Sequence, residues 1–241
     1  DDGIRDLVRS RGRGDVYKRQ IYFKMRALAE APRLLFYYTN IEYEDLMSWD
    51  YYDKEWSEVK PNIPFKQLPM LVVDKKHEIC QSMAIMTFIE NLAGINITDP
   101  ILNAKANAIM QSAQELFMPL NPTVNFAIGE KFIKKKDDMI PFLLSRFEDL
   151  EKAMKNNDKK FFIYDEPRAC DFVTFHHLDL SKMLDPSIIK KFPRLEKFLE
   201  DIMSVESVKS YLDKRPELID VSVEPKLVID GVPQSTGVKK T

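Results

Sequence analysis

The chain predicts a mixed α/β domain followed by a larger all-helical one. Two observations carry this. Strand-like and helix-like apolar patterns alternate from Ile21 to about Ile95, and after "NITDP" the strand signals stop while apolar residues recur every three to four positions. A length of 241 residues also suits two ordinary domains, each with its own core. The junction falls between Ile95 and Pro100.

Each element has its own signal. Tyr22 and Phe23 end a strand-like run. Leu28, Pro32, Leu35 and Phe36 then recur at helical spacing up to Asn40. "IEYEDLM" alternates Ile41, Tyr43 and Asp45 and reads as a second strand. "WDYYDKEWSEVKPNIPFKQ" is a loop dense in proline and aromatics, with room for a short helix. "LPMLVVD" is a buried strand, "KK" a turn and "HEICQ" a return strand. "SMAIMTFIENLAGI" puts Ile85, Phe88, Ile89 and Leu92 on one stripe, with Ser82 as N-cap and Gly94 as stop. In the second half, Ile101 to Phe117, Met139 to Met154, Ala169 to Met183 and Arg194 to Ile202 all read as helices. Pro119, Pro122, Pro141, Pro167, Pro186 and Pro193 mark their starts, ends or bends.

Composition narrows the function. With 36 basic against 38 acidic residues, bulk charge gives no reason to expect a nucleic-acid partner. No run reaches the ~20 consecutive apolar residues of a membrane helix, so no membrane partner and a cytoplasmic location are expected. Cys80 and Cys170 are too few for a disulfide framework and read as reduced, buried thiols. His77, His176 and His177 lack the further ligands a metal site needs. The adjacent pair in "FHHL" points to different faces of a helix.

The ends differ from the middle. Residues 1–20 are densely basic without strand or helix periodicity, and Asp15 to Gln20 back-translate to a sequence resembling a transposase-end adapter. They read as a non-native leader. From Val221 to Thr241 helical spacing is lost and an extended tail is expected. The domains are thus 21–96 and 97–220.

Four segments, "YFKMRALAE", "EWSEVKPNIPFKQLPMLVVD", "QSMAIMTFIENLAGI" and "FPRLEKFLEDIMSVESVKSYLDKRP", come in an order and spacing that resemble the cytosolic glutathione transferases. The resemblance is closest to the sigma class, which includes glutathione-dependent prostaglandin D isomerases and lens crystallins, and it covers roughly Ile21 to Pro216. It implies a thioredoxin-like first domain, a helical-bundle second domain, glutathione as co-substrate, a small electrophile and a homodimer. Tyr22 matches the catalytic tyrosine, whose O–H would stabilise the glutathione thiolate and lower a thiol pKa that is ~8.5 when free. Pro69 is implied to be cis, turning the Leu68 backbone toward the cysteinyl part of glutathione like an added strand. Gln81 and Ser82 open a helix whose positive end suits the γ-glutamyl carboxylate. Trp56, Lys60 and Gln67 match positions that reach the glycyl end, and Glu115 one that crosses a dimer interface to the glutathione amine. The electrophile pocket is expected between the domains, lined by Met25, Met110 and Phe117.

Three positions, in two segments, depart from the family pattern. In "MRALAE" the family usually has Arg-Gly-Arg-Ala-Glu, so Leu28 replaces a cation that tunes the thiolate and Ala27 replaces glycine. The alternative function is therefore a glutathione-binding or crystallin-like protein with reduced catalysis. In "DEPRACDF" Arg168 stands where a Ser or Thr usually caps a helix, leaving Asp171 to pair with a local N–H or with Arg168.

Overall fold

A computed structural model describes residues 17–127, 129–216, 218, 226–229 and 232–235. The first domain is a four-stranded sheet in the order β2-β1-β3-β4. It is built from β1 (Lys18–Tyr22), β2 (Glu44–Met47), β3 (Met70–Val73) and β4 (His77–Cys80). β1 runs parallel to β2 and antiparallel to β3, with Ile21 opposite Met70. A 3-10 turn at Ala27–Ala29 leads into α1 (Glu30–Thr39), which ends at a left-handed Asn40. The proline-rich loop holds two short helices, α2 (Ser48–Tyr52) and α3 (Trp56–Val59). After β4 comes α4 (Ser82–Ala93), stopped by Gly94 at φ 70°.

The strand β1 overlaps the end of the stretch expected as a leader. It starts at Lys18, inside the stretch read as foreign, because its polar side chains are used: Arg19 pairs with Glu44 at 2.8 Å and the fully buried Gln20 donates to the Ala29 carbonyl at 3.2 Å. Residues 1–16, and most of the predicted tail, lie outside the described residues. Within the tail, β5 (Lys226–Ile229) and β6 (Val232–Ser235) form an antiparallel pair.

The second domain begins at α5 (Pro100–Gln114), where Asp99 accepts from the amides of Ile101 and Leu102 at 2.9 and 2.8 Å. It continues through α6 (Phe117–Phe126), α7 (Gly129–Lys155), α8 (Ala169–Leu184), α9 (Pro186–Ile189), α10 (Pro193–Met203) and α11 (Glu206–Lys214). Pro186 and Pro193 occupy first helical positions, where no N–H is needed, whereas Pro141 sits inside α7.

Both faces of the sheet are covered, which is why β3 reads as continuously apolar. Leu71 and Val73 face one core shared with the helical domain, including Phe147, Phe172 and Phe198. Met70 and Val72 face a smaller one with Ile21, Tyr22, Met25 and Leu68, the period-two alternation of a strand. The larger core is continuous across the domain junction. Glu30, fully buried on α1, receives Tyr211 Oη at 3.0 Å and Arg215 at 2.9 Å from the second domain, while Arg26 reaches Asp179 at 2.6 Å.

Candidate active site

Tyr22 closes β1 and is 4% exposed. Its side chain packs in the smaller core, tilted against Phe23, which in turn meets the Trp56 ring edge-on at 5.3 Å. The Leu28 backbone N–H donates to the Tyr22 hydroxyl oxygen at 3.3 Å. The contact leaves the phenol hydrogen available to point elsewhere. Burial pushes the Tyr22 pKa up to about 12, against opposing pulls from the Leu28 amide and the Arg33 charge. At neutral pH the group is therefore a neutral donor, not a base.

Leu28 itself is half-buried against the smaller core. No side-chain cation stands at that position, but the main chain supplies a donor and the buried Arg33 supplies charge. Arg33 is held by Asp45 at 2.7 Å and fixes the Met25 carbonyl at 3.0 Å. Arg26 is fully buried and bonded to Asp179 of α8 at 2.6 Å.

The Leu68–Pro69 bond is cis, and the β3 ladder starts only at Met70, which leaves Leu68 outside the strand pairing. Gln67 and Gln81 are brought together, Nε2 of Gln81 donating to Oε1 of Gln67 at 3.4 Å on the surface. Ser82 is the first residue of α4, not its N-cap as the sequence suggested. Gln81 takes the cap position at φ 73° and makes no side-chain cap bond. The leading amides of α4 thus remain without a side-chain cap, an arrangement able to receive a carboxylate. Lys60 is exposed where α3 ends. Glu115 is exposed at the break between α5 and α6 and pairs with Arg146 at 3.5 Å.

Of the three expected pocket residues, Met25 and Phe117 join the cluster around Tyr22. Met110 does not. It is buried in the larger core and borders a separate cavity of about 120 Å³ with Glu90, Asn107 and Cys170. Met110 and Phe117 are seven residues apart and would share a face on one continuous helix. The break at Glu115 and Leu116 separates them. Both cysteines are buried and free, and burial pushes each thiol up, most strongly at Cys170. Neither is suited to thiolate chemistry.

Sequence reasoning weighed the two histidines of α8 only as metal ligands and gave them no other role. His176 Nε2 lies 2.6 Å from the Ala27 carbonyl oxygen and His177 Nε2 lies 3.1 Å from Gln114 Oε1, with the His177 ring near Phe117. Both are buried, which holds each pKa far down, His177 at about 3. The signal available in sequence was two polar rings in an otherwise apolar helix stripe.

Comparisons with known proteins agree with this fold. The family described as glutathione S-transferase, N-terminal domain, matches residues 19–91, and glutathione S-transferase, C-terminal domain, matches residues 122–215. Glutathione S-transferase P 10 of Caenorhabditis elegans is 31% identical over 196 residues, 80% of this chain and 90% of that protein. Glutathione S-transferase P of the same organism is 30% identical over 198 residues, covering 80% and 91%. Among solved structures, the Pi-class glutathione S-transferase of Onchocerca volvulus superposes with a TM-score of 0.72 at 25% identity, covering 82% of this chain and 93% of that one.

Proposed function

The chain belongs to the glutathione S-transferase family, and on that premise we propose that Tyr22 holds glutathione as a thiolate for attack on a small electrophile. Family membership makes it a glutathione transferase with glutathione as its co-substrate. The observation that carries the reading is the Tyr22 hydroxyl, whose oxygen accepts from the Leu28 amide at 3.3 Å and whose hydrogen is left to donate. Because its pKa is pushed up to about 12, the phenol stays protonated and stabilises the sulfur anion by a charge-assisted hydrogen bond. The thiol proton goes to solvent, and the thiolate then attacks.

In this reading Leu68, just before the cis bond to Pro69, offers its backbone to the cysteinyl unit. Gln81 and the α4 amides at Ser82 take the γ-glutamyl end, and Trp56, Lys60 and Gln67 take the glycyl end. Met25 and Phe117 border the electrophile pocket. Glu115 joins only if a second subunit brings it across, which is why a homodimer is part of the proposal. Phe65, 72% exposed in the loop before Gln67, supports it as an unburied ring of the kind subunit contacts cover. Sedimentation at micromolar protein checks this, and a monomer removes Glu115 from the site.

The finer class is sigma-like by its motifs, while the named nematode relatives carry the P designation. Comparing isomerisation of a prostaglandin endoperoxide with conjugation of an aryl halide separates the two. The alternative of binding without catalysis rested on Leu28, and a main-chain donor beside Tyr22 weakens it. The deciding experiment follows thiolate absorbance of bound glutathione against pH. The expected thiol pKa lies at least one unit below ~8.5 in the native chain and returns toward it in Tyr22→Phe. An unshifted thiol in the native chain overturns the reading.

A further inference from the structure

The bond from His176 and the bond to Tyr22 are made by the two ends of one peptide group. The Ala27 carbonyl oxygen receives His176 at 2.6 Å, and the N–H of the same peptide unit, on Leu28, donates to the Tyr22 oxygen at 3.3 Å. A carbonyl can only accept, so His176 Nε2 carries the hydrogen and Nδ1 is bare. The ring is 1% exposed on α8, in the second domain, beside His177; burial first, and then the charges of Arg26 and Arg215, keep it neutral. Ala27 sits at φ 28°, a conformation a residue with a Cβ does not hold without support.

We propose that His176 is a positioning residue for the transferase reaction, fixing and polarising the Ala27–Leu28 peptide so that its N–H holds the Tyr22 oxygen and aims the phenol hydrogen at the glutathione sulfur. This rests on the role given to Tyr22 above. Hydrogen bonds in series strengthen one another, so a donor on the carbonyl makes the N–H a better donor, and that in turn makes the phenol a better donor. When the phenol gives its hydrogen to an anion, its oxygen gains electron density, and the 3.3 Å contact shortens as catalytic bonds do on ligand binding. The relay supplies from the main chain what the side chain at Leu28 cannot, and it runs from the second domain into the first.

The test removes the donor with His176→Met and restores one with His176→Gln, reading the thiol pKa of bound glutathione beside the Kd for S-methylglutathione, which lacks the thiol. Loss of the relay raises the thiol pKa by about 0.5–1 unit and lowers kcat/KM below that pKa about threefold to tenfold. The Kd changes less than twofold, and the Gln variant recovers most of the shift. In a Tyr22→Phe background His176→Met has no further effect on the thiol. A folded His176→Met protein with an unchanged thiol pKa overturns the relay, as does an equal shift with and without Tyr22. If Tyr22→Phe alone leaves the thiol where it was, the Tyr22 role fails instead. Nitrogen-15 NMR of the unaltered protein gives a check that needs no variant: His176 must show hydrogen on Nε2 from pH 5 to 9, and hydrogen on Nδ1 overturns the proposal.

Discussion

At Leu28 a substitution that removes a cation leaves the backbone contact intact. A motif is read through side chains, so the sequence could show what Leu28 lacks but not the N–H it still presents to Tyr22. Tyr22 itself was legible, because a strand end followed by a helical stripe fixes its place. Ala27 carries the cost of the departure. At φ 28° its Cβ crowds the following carbonyl, a penalty of roughly 1–2 kcal/mol that glycine avoids, and glycine gives back roughly half of this through its greater unfolded entropy. Ala27→Gly is expected to raise stability by about 0.5–1 kcal/mol in urea unfolding. A loss of stability would show that the alanine is not strained.

Among elements, the N-terminus of α8 shows how a missing cap is replaced. Arg168 has no acceptor to give, so only half of a capping box forms: Asp171 accepts from the Arg168 amide at 2.8 Å and from Phe162 N–H at 3.0 Å. A first-turn amide, at Ala169, is taken by Glu90 from α4 at 2.8 Å, so the first domain caps a helix of the second. The expected local N–H partner for Asp171 is present; the cap from Glu90 was invisible because it crosses 79 positions of sequence. The helices were legible from their period, which ran on to Phe117, whereas the break after α5 that separates Met110 from Phe117 was signalled only by Pro119, which has no N–H to give the Glu115 carbonyl four residues back. Burial pushes the Asp171 pKa up to about 6 in spite of its N–H partners. A raised carboxyl pKa means the folded state holds the proton longer than the unfolded one. Its contribution is therefore full below about 3.8 and lost as pH rises through about 6, on the order of 2–3 kcal/mol. Asp171→Asn should gain on the native chain by that amount between pH 4 and pH 7 in parallel urea titrations. Equal pH slopes for the two proteins would show that Asp171 ionises normally.

For the whole molecule, the two sequence-defined domains are held as one body by buried charge as well as by the shared core. Glu30 on α1 faces Arg26 and Arg33 of its own domain, at 3.8 and 3.4 Å, and Tyr211 and Arg215 of the last helix and its end. Burial pushes its pKa up, but three guanidiniums outweigh this and hold the carboxylate below its usual range. Charges this deep add little to stability against an apolar replacement of the same shape, yet removing one partner strands the others without water. Glu30→Gln leaves three arginines facing a neutral amide at the junction, and a loss of about 3–5 kcal/mol at pH 7 is expected. The sign with pH follows from the lowered pKa: the Glu30 contribution is present above about 4.5 and lost as pH falls through the folded value. The native and Glu30→Gln proteins should therefore converge in stability as pH drops below about 4.5. Because Arg26, through Asp179, and His176, through Ala27, anchor the same turn from α8, the variant should also disturb the Tyr22 contact before the protein unfolds globally. Hydrogen exchange at the Leu28 amide reads that directly: faster exchange in Glu30→Gln at pH 7, against unchanged exchange in the β3 core, ties the domain junction to the active-site tyrosine. Uniform acceleration of both would mean that Glu30 supports the fold without selectively holding the site.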